Sequence, residues 1–299
     1  AAVIAVLLLA GPLRLRDGLR PQPGQWRTCW AFAAPRGLSA AIDAGGMWVG
    51  VLLTAALAGQ AQAGIFGAVG RYVLAGLLVM QGLRLALAPQ LSKLLGSGRT
   101  AAAAAVYRRT STAIIALSWP LYAVLATYAP GFLSLFGAEF AAGAPAMAVL
   151  CVAMLVNSGA GLVQTVLLMS GHSRRHLVAA ATGLAGNLIL GVTLIPRFGA
   201  LGAALAWSVA IVVENVLAAV AARRVLGEPL FDRLTRRVAA GAVLAGLVAV
   251  AVAVPFGRGV TGLAAVLTLF TCAAVAALLH PRGHTAVRRF LKEHVRVAA

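Results

Sequence analysis

Seven polar side chains stand in places where polar side chains are expensive. Asp43, Arg71, Gln81, Arg84, Asn157, Gln164 and Glu214 each interrupt a long run of Ala, Val, Leu, Gly and Ile. If those runs lie in hydrocarbon, an ionised group at the centre costs about 2.5–3.5 kcal/mol, so such groups face a cavity or a partner rather than lipid. The guanidinium groups of Arg71 and Arg84 suit an anion such as a phosphate, which they hold through charge-assisted, often bidentate hydrogen bonds. Asp43 and Glu214 are candidates for coupling to a cation or a proton, with pairing to a basic neighbour as the duller alternative. At about 100° per residue, with Arg71 at 0°, Gln81 falls near 280° and Arg84 near 220°, an arc of about 140°. That face fits a watery cavity; snorkelling of either arginine to the nearer membrane surface is the competing reading. Asn157 and Gln164, seven apart with Gly161 between them, share a helical face and either line a cavity or bond a neighbouring helix.

Other chemistries find little support. His172 and His176 in HSRRH are spaced to share one helical face, but no Cys, Asp or Glu accompanies them, so the segment reads as a solvated turn rather than a metal site. No HExxH, phosphate loop or nucleophile elbow occurs. GIFGAVG, at residues 64–70, lies inside an apolar run, where small residues permit close helix packing. Cys29, Cys151 and Cys272 are far apart and indicate neither a disulfide framework nor a metal site. No catalytic residue, cofactor or metal is implied, and the chain is not read as an enzyme.

The elements that must position these residues are legible from composition and charge. Hydrophobic residues make up 61% of the 299 and charged residues 11%, and mean hydropathy is +0.93; soluble domains run nearer half apolar and a quarter charged. The 25 basic residues are sorted. All but four lie in alternate connectors: Arg14 to Arg36, Lys93 to Arg109, Arg174 and Arg175, Arg223 to Arg237, and Arg282 to Arg296. The intervening connectors hold only Arg197 and Arg258, and Arg71 and Arg84 lie inside an apolar run. Loops that stay in the cytoplasm retain Lys and Arg, so this alternation is the record of repeated bilayer crossing. The net charge of +18 is thereby explained without nucleic acid, and attraction to anionic membrane lipids is its ordinary consequence.

The expected fold is all-α: a polytopic transmembrane helix bundle with eight full spans. They run at about 37–58, 64–88, 110–132, 145–170, 177–195, 200–222, 238–254 and 260–279. The apolar run at 1–12 is too short to span and reads as the back half of a truncated N-terminal span, followed by a basic connector to residue 36. Residues 37–222 form the expected six-helix lobe. Leu226, Leu230, Leu234 and Val238 recur every four residues and suggest an amphipathic interfacial helix over 223–237. Two additional spans at 238–279 and a basic, amphipathic, cytoplasmic tail at 280–299 complete the chain.

Four segments in order resemble one family: AGIFGAVGRY at 63–72, ALAPQLSKLLGSGR at 86–99, the FGAEF that closes SWPLYAVLATYAPGFLSLFGAEF, and NSGAGLVQ through LIPRFGALGAALAWS at 157–208. Together they are similar to the C-terminal part of polysaccharide or O-antigen flippases of the Wzx type, in the multidrug/oligosaccharidyl-lipid/polysaccharide exporter superfamily. The resemblance implies spans seven to fourteen of a fourteen-helix transporter. It also implies translocation of a polyprenyl-diphosphate-linked oligosaccharide across the bacterial plasma membrane, by alternating access between two lobes. The partners are then that lipid-linked substrate and either the missing N-terminal lobe or another copy of the chain. Cavity-lining status carries over to Asp43, Arg71, Gln81 and Arg84. Rival readings are a cation-coupled multidrug exporter of the same superfamily, a non-transporting membrane scaffold, and a membrane glycosyltransferase, for which Glu139 is the one acid expected outside. The charge sorting has a direct test. Single cysteines at positions 174 and 139 should label from opposite sides of the membrane with an impermeant reagent; labelling from one side refutes the scheme.

Overall fold

A computed structural model describes residues 25–279, without the side chains at 25–29, 32, 47, 79 and 273–279. The expected truncated span, the start of the basic connector and the basic tail lie outside the described residues. Among the described residues there is no strand. The elements in order are α1 (Gln25–Ala58), α2 (Gln60–Gly96), α3 (Thr100–Thr127), α4 (Ala129–Leu133), α5 (Ala144–Ala160), α6 (Val163–Met169), α7 (Ser173–Leu226), α8 (Arg233–Phe256) and α9 (Val260–Leu279). Short 3-10 turns at Ser134–Phe136 and Ala138–Gly143 join α4 to α5. Five helical stretches are long and apolar enough to cross a membrane, or six if the two parts of α1, bent by 45° near residue 47, count as one span. The fold is an all-α bundle of several long apolar helices, compatible with a membrane protein.

The longest helix is a hairpin. α7 contains Gly199 at φ 53°, ψ −129°, a conformation that only glycine adopts easily. A Cβ on Gly183 would stand 3.1 Å from the Ala210 carbonyl oxygen and 3.3 Å from Glu214 Cβ, and one on Gly202 would meet the Leu194 carbonyl. Residues 173–198 and 200–226 are therefore antiparallel limbs in contact along their length. Gly161 (φ 64°) breaks the expected 145–170 span into α5 and α6, and the position takes no side chain, since one there would collide with Ser111.

Two other expectations change. The 223–237 segment is not one interfacial helix. α7 closes on Gly227 in the left-handed region, and α8 opens on Asp232, whose side chain accepts the Thr235 N–H at 2.7 Å. That bond holds the Asp232 carboxyl below its ordinary pKa. Leu226 and Leu230 are buried in the bundle while Leu234 is exposed, so the four-residue repeat does not mark one continuous face. In GIFGAVG, Gly64 and Gly67 have open space where a Cβ would stand, so they leave room rather than bring helices together; Gly76, under the Tyr122 ring, is the close approach on α2.

Two apolar cores stack along the bundle. One joins Phe66, Val73, Leu133, Met147, Ile195 and Ala200; the other joins Leu91, Tyr107, Leu162, Leu167, Leu226 and Leu230. α8 and α9 attach through a third, with Tyr128, Ala249 and Val266. The connectors follow the same division. Arg36 donates to the Leu168 carbonyl at 2.9 Å and Arg108 to the Pro229 carbonyl at 3.3 Å, which brings basic connectors to one end. At the other end Gly131 abuts Arg258 and Gly259, and Gln62 meets Ala200.

Close approach at Gly202 should be testable against a glycine with free space on the same hairpin. Gly202→Val forces backbone apart and should cost about 3 kcal/mol or more, whereas Gly186→Val, with nothing within 4 Å, should change stability by less than about 1 kcal/mol. Thermal unfolding in detergent followed by fluorescence size-exclusion measures both.

Candidate functional site

The bundle gathers most of the candidate residues into one chain of contacts. On α2, Arg84 Nη2 donates to Gln164 Oε1 on α6 at 2.8 Å. Gln164 Nε2 donates in turn to Glu214 Oε1, on the second limb of α7, at 2.7 Å. Beside them His176, on the first limb, places Nε2 3.4 Å from Asp43 Oδ2 of α1, an ion pair whenever the ring is protonated. A cavity of about 50 Å³ lies beside the two carboxylates and is lined by Asp43, Gly46, Gly183, Asn187, Trp207 and Glu214, among others. Four elements thus converge: α1, α2, α6 and both limbs of α7.

Local backbone explains why the amides meet these partners. The break at Gly161 releases Gln164 from the helical register of Asn157, so the two do not share one uninterrupted face. Asn157 Oδ1 accepts from Asn215 Nδ2 at 3.0 Å, while Gln164 reaches residue 214 next to it. Both amides therefore bond the second limb of α7 at consecutive positions and tie one apolar helix to another. Gln164 does more, because its amide presents an acceptor to the arginine and a donor to the carboxylate. It spaces a cation from an anion that would otherwise pair directly.

The network is not fully satisfied. Arg84 Nε and His176 Nδ1 are buried with no hydrogen-bond partner among the described residues. A buried donor or acceptor left unpaired costs roughly 1–3 kcal/mol, and neither residue lines the small cavity beside Asp43 and Glu214. Among the described residues no three His, Cys, Asp or Glu side chains converge to hold a metal ion.

Arg71 does not belong to this chain. It lies thirteen residues before Arg84, about 20 Å along α2, and lines a separate groove of about 520 Å³ with Trp48, Gly64, Gly67, Phe136 and Phe140. Its guanidinium carbon stands 5.9 Å from the Phe136 ring centroid, within cation–π range. Tyr72 braces the aromatic group: its ring lies 5.4 Å from Phe132 and 5.5 Å from Phe136, and its hydroxyl donates to the Phe132 carbonyl at 2.7 Å. Arg71 is exposed and forms no ion pair or hydrogen bond among the described residues. Gln81 is also exposed and joins neither group. The arc expected to unite Arg71, Gln81 and Arg84 is thus divided, with Arg84 turned into contacts with α6.

His176 was the residue sequence reasoning passed over. It is 1% exposed, not part of a solvated turn; His172 alone fits that description, with Nδ1 3.0 Å from Ser170 Oγ. The signal available was its position: the fourth residue of α7, directly after Arg174 and Arg175. Its carboxylate partner is 133 residues away on α1, a pairing no local pattern discloses. Asn215 was missed for the same reason, and Trp48, Phe136 and Phe140 because single aromatics in apolar sequence are ordinary.

Compared with protein-family models, curated proteins and solved structures, the chain matches none.

Gln164 should behave as the joint of the network. Gln164→Leu removes two interhelical bonds and should destabilise the bundle by roughly 1–3 kcal/mol. Adding Glu214→Ala to that variant should cost less than Glu214→Ala costs alone, giving a coupling of at least about 0.5 kcal/mol in a double-mutant cycle on thermal unfolding. Additive losses would mean that the two residues act independently.

Proposed function

We propose that this chain is one lobe, with two additional spans, of a transporter that flips a polyprenyl-diphosphate-linked oligosaccharide across the bacterial plasma membrane by alternating access. The observation that carries the reading is Arg71. It stands without an anionic partner among the described residues, in a groove walled by Trp48, Phe136 and Phe140 within a strongly apolar bundle. A guanidinium in such a setting suits a diphosphate, and flat aromatic faces suit the C–H faces of sugar rings. The resemblance of the four sequence segments points the same way. Eight spans, with α1 as one, α7 as two and α9 as one, return the C-terminus to the cytoplasm in this scheme.

In this reading Arg84, Gln164, Glu214, Asp43 and His176 serve coupling rather than substrate binding. Arg84 is already engaged by the neutral Gln164 amide and turned away from the Arg71 groove, which leaves it poorly disposed to a substrate anion. Two carboxylates beside a water-sized cavity suit a proton or a monovalent cation, and they join α1 to both limbs of α7, so a change of charge there would alter how those helices pack. The same feature favours a second reading, a cation-coupled exporter of the same superfamily. The Arg71 groove argues against that alternative, because a guanidinium repels a cationic drug. A non-transporting scaffold would need neither feature. The remaining wall of the cavity would come from a second lobe or another copy of the chain.

The test is transport by the full-length protein at matched expression. Arg71→Ala should reduce flippase complementation about tenfold or more, the equivalent of losing one charge-assisted bond of roughly 1.5–3 kcal/mol. Arg71→Lys should restore only part of it, because Lys lacks the bidentate fork. Equal activity of the Lys variant would remove the anion-binding role.

A further inference from the structure

The two limbs of α7 form a second groove, on the basic end of the bundle, that neither the polar network nor the Arg71 site uses. Its volume is about 630 Å³. Arg174 and Arg175 stand on the first limb and Arg224 on the second, all three exposed, with His172 beside them. No acidic residue lines the groove, and none of the three arginines forms an ion pair or a hydrogen bond among the described residues. Beyond the arginines the wall turns apolar: Val178, Leu217 and Val220 are 57%, 41% and 48% exposed. The groove is therefore cationic at its mouth and oily along its length.

That order of chemistry matches one kind of molecule. A phospholipid carries a phosphate at the head and acyl chains behind it, and at a membrane surface it arrives in that orientation. We propose that the groove between the limbs of α7 binds an anionic phospholipid, its headgroup phosphate held by Arg174, Arg175 and Arg224 and its acyl chains laid along Val178, Leu217 and Val220. The inference rests on the membrane reading of the bundle but not on what the protein transports. It differs from general attraction of basic loops to anionic lipid, which needs no groove and is spread over every cationic residue. Here the arginines come from positions 174 to 224, on either side of the turn at Gly199, and only the antiparallel closure of α7 brings them together. A lipid bound there would bridge the two limbs and favour the closed hairpin over a splayed one.

The experiment is native mass spectrometry and thermal-shift titration of the full-length protein in detergent, with cardiolipin, phosphatidylglycerol and phosphatidylcholine as probes. Both anionic lipids should bind at least about tenfold more tightly than phosphatidylcholine. Arg175→Gln/Arg224→Gln should abolish that preference. Arg109→Gln/Arg237→Gln, which removes the same charge from the same end but outside the groove, should leave affinity within about twofold. Val220→Trp keeps every charge and fills the apolar wall, and it should also weaken anionic-lipid binding about tenfold, so the test survives if the Gln pair fails to fold. Equal losses from the two Gln pairs would show diffuse electrostatics and overturn the site. Unchanged lipid binding by Val220→Trp, or full displacement of lipid by millimolar inorganic pyrophosphate, would show a phosphate site without a lipid and overturn it equally.

Discussion

A helix that breaks among apolar side chains exposes amide and carbonyl groups to surroundings that cannot hydrogen-bond them, and each unsatisfied group costs several kcal/mol. The bundle breaks repeatedly, and side chains from other helices attend to those breaks. Tyr107 donates to the Ala160 carbonyl at 2.6 Å, where α5 ends at Gly161. Arg36 donates to Leu168 at the end of α6. Gln62 accepts the Ala200 N–H at 3.0 Å, just past the reversal at Gly199. Tyr72 likewise donates to the Phe132 carbonyl near the end of α4, while Tyr122 and Tyr128 donate to the carbonyls of Val73 and Ala249 within α2 and α8 and so tie helix to helix. The breaks and the residues that satisfy them are parts of the same construction, and neither would be tolerable alone.

Those breaks are also what make polar chemistry possible. A continuous helix from 145 to 170 would have held Asn157 and Gln164 to one register. Ending α5 at Gly161 lets each meet a neighbouring position on α7. The reversal at Gly199 then sets Glu214 beside Gly183, where the missing side chain leaves room for the carboxylate's neighbours. Small residues thus decide where charge is placed. The result separates the polar groups into an engaged network, in which amides mediate between charges, and an arginine left available in an aromatic groove. The first suits a change of protonation that alters packing, the second suits contact with an anion, and the proposed transport cycle uses both.

Much of the architecture was legible before any coordinate. The apolar runs and the alternating charge of the connectors foretold a bundle whose basic connectors meet at one end, and Arg36, Arg108 and their carbonyl partners lie there. The periodic Leu226–Val238 pattern misled, because a four-residue repeat takes no account of Gly227, Pro229 and Asp232, which stop one helix and start another. The polar arc on α2 misled for a different reason: angular position on a wheel does not say which neighbour stands opposite, and Arg84 has α6 beside it while Arg71 has aromatic rings.

Composition and charge order by themselves determined that the chain forms apolar helices and which connectors share an end, since burial of apolar length and retention of cations are additive properties of local sequence. They also nominated Asp43, Arg71, Arg84 and Glu214, because an ionised side chain in an apolar run is conspicuous wherever it points. Only the tertiary structure decided the partnerships. His176 with Asp43, Gln164 between Arg84 and Glu214, and the three arginines across the limbs of α7 depend on helices distant in sequence lying side by side. That arrangement is set by where Gly161 and Gly199 break the chain and by which small residues let backbones touch, and those short-range contacts leave no periodic trace in the sequence.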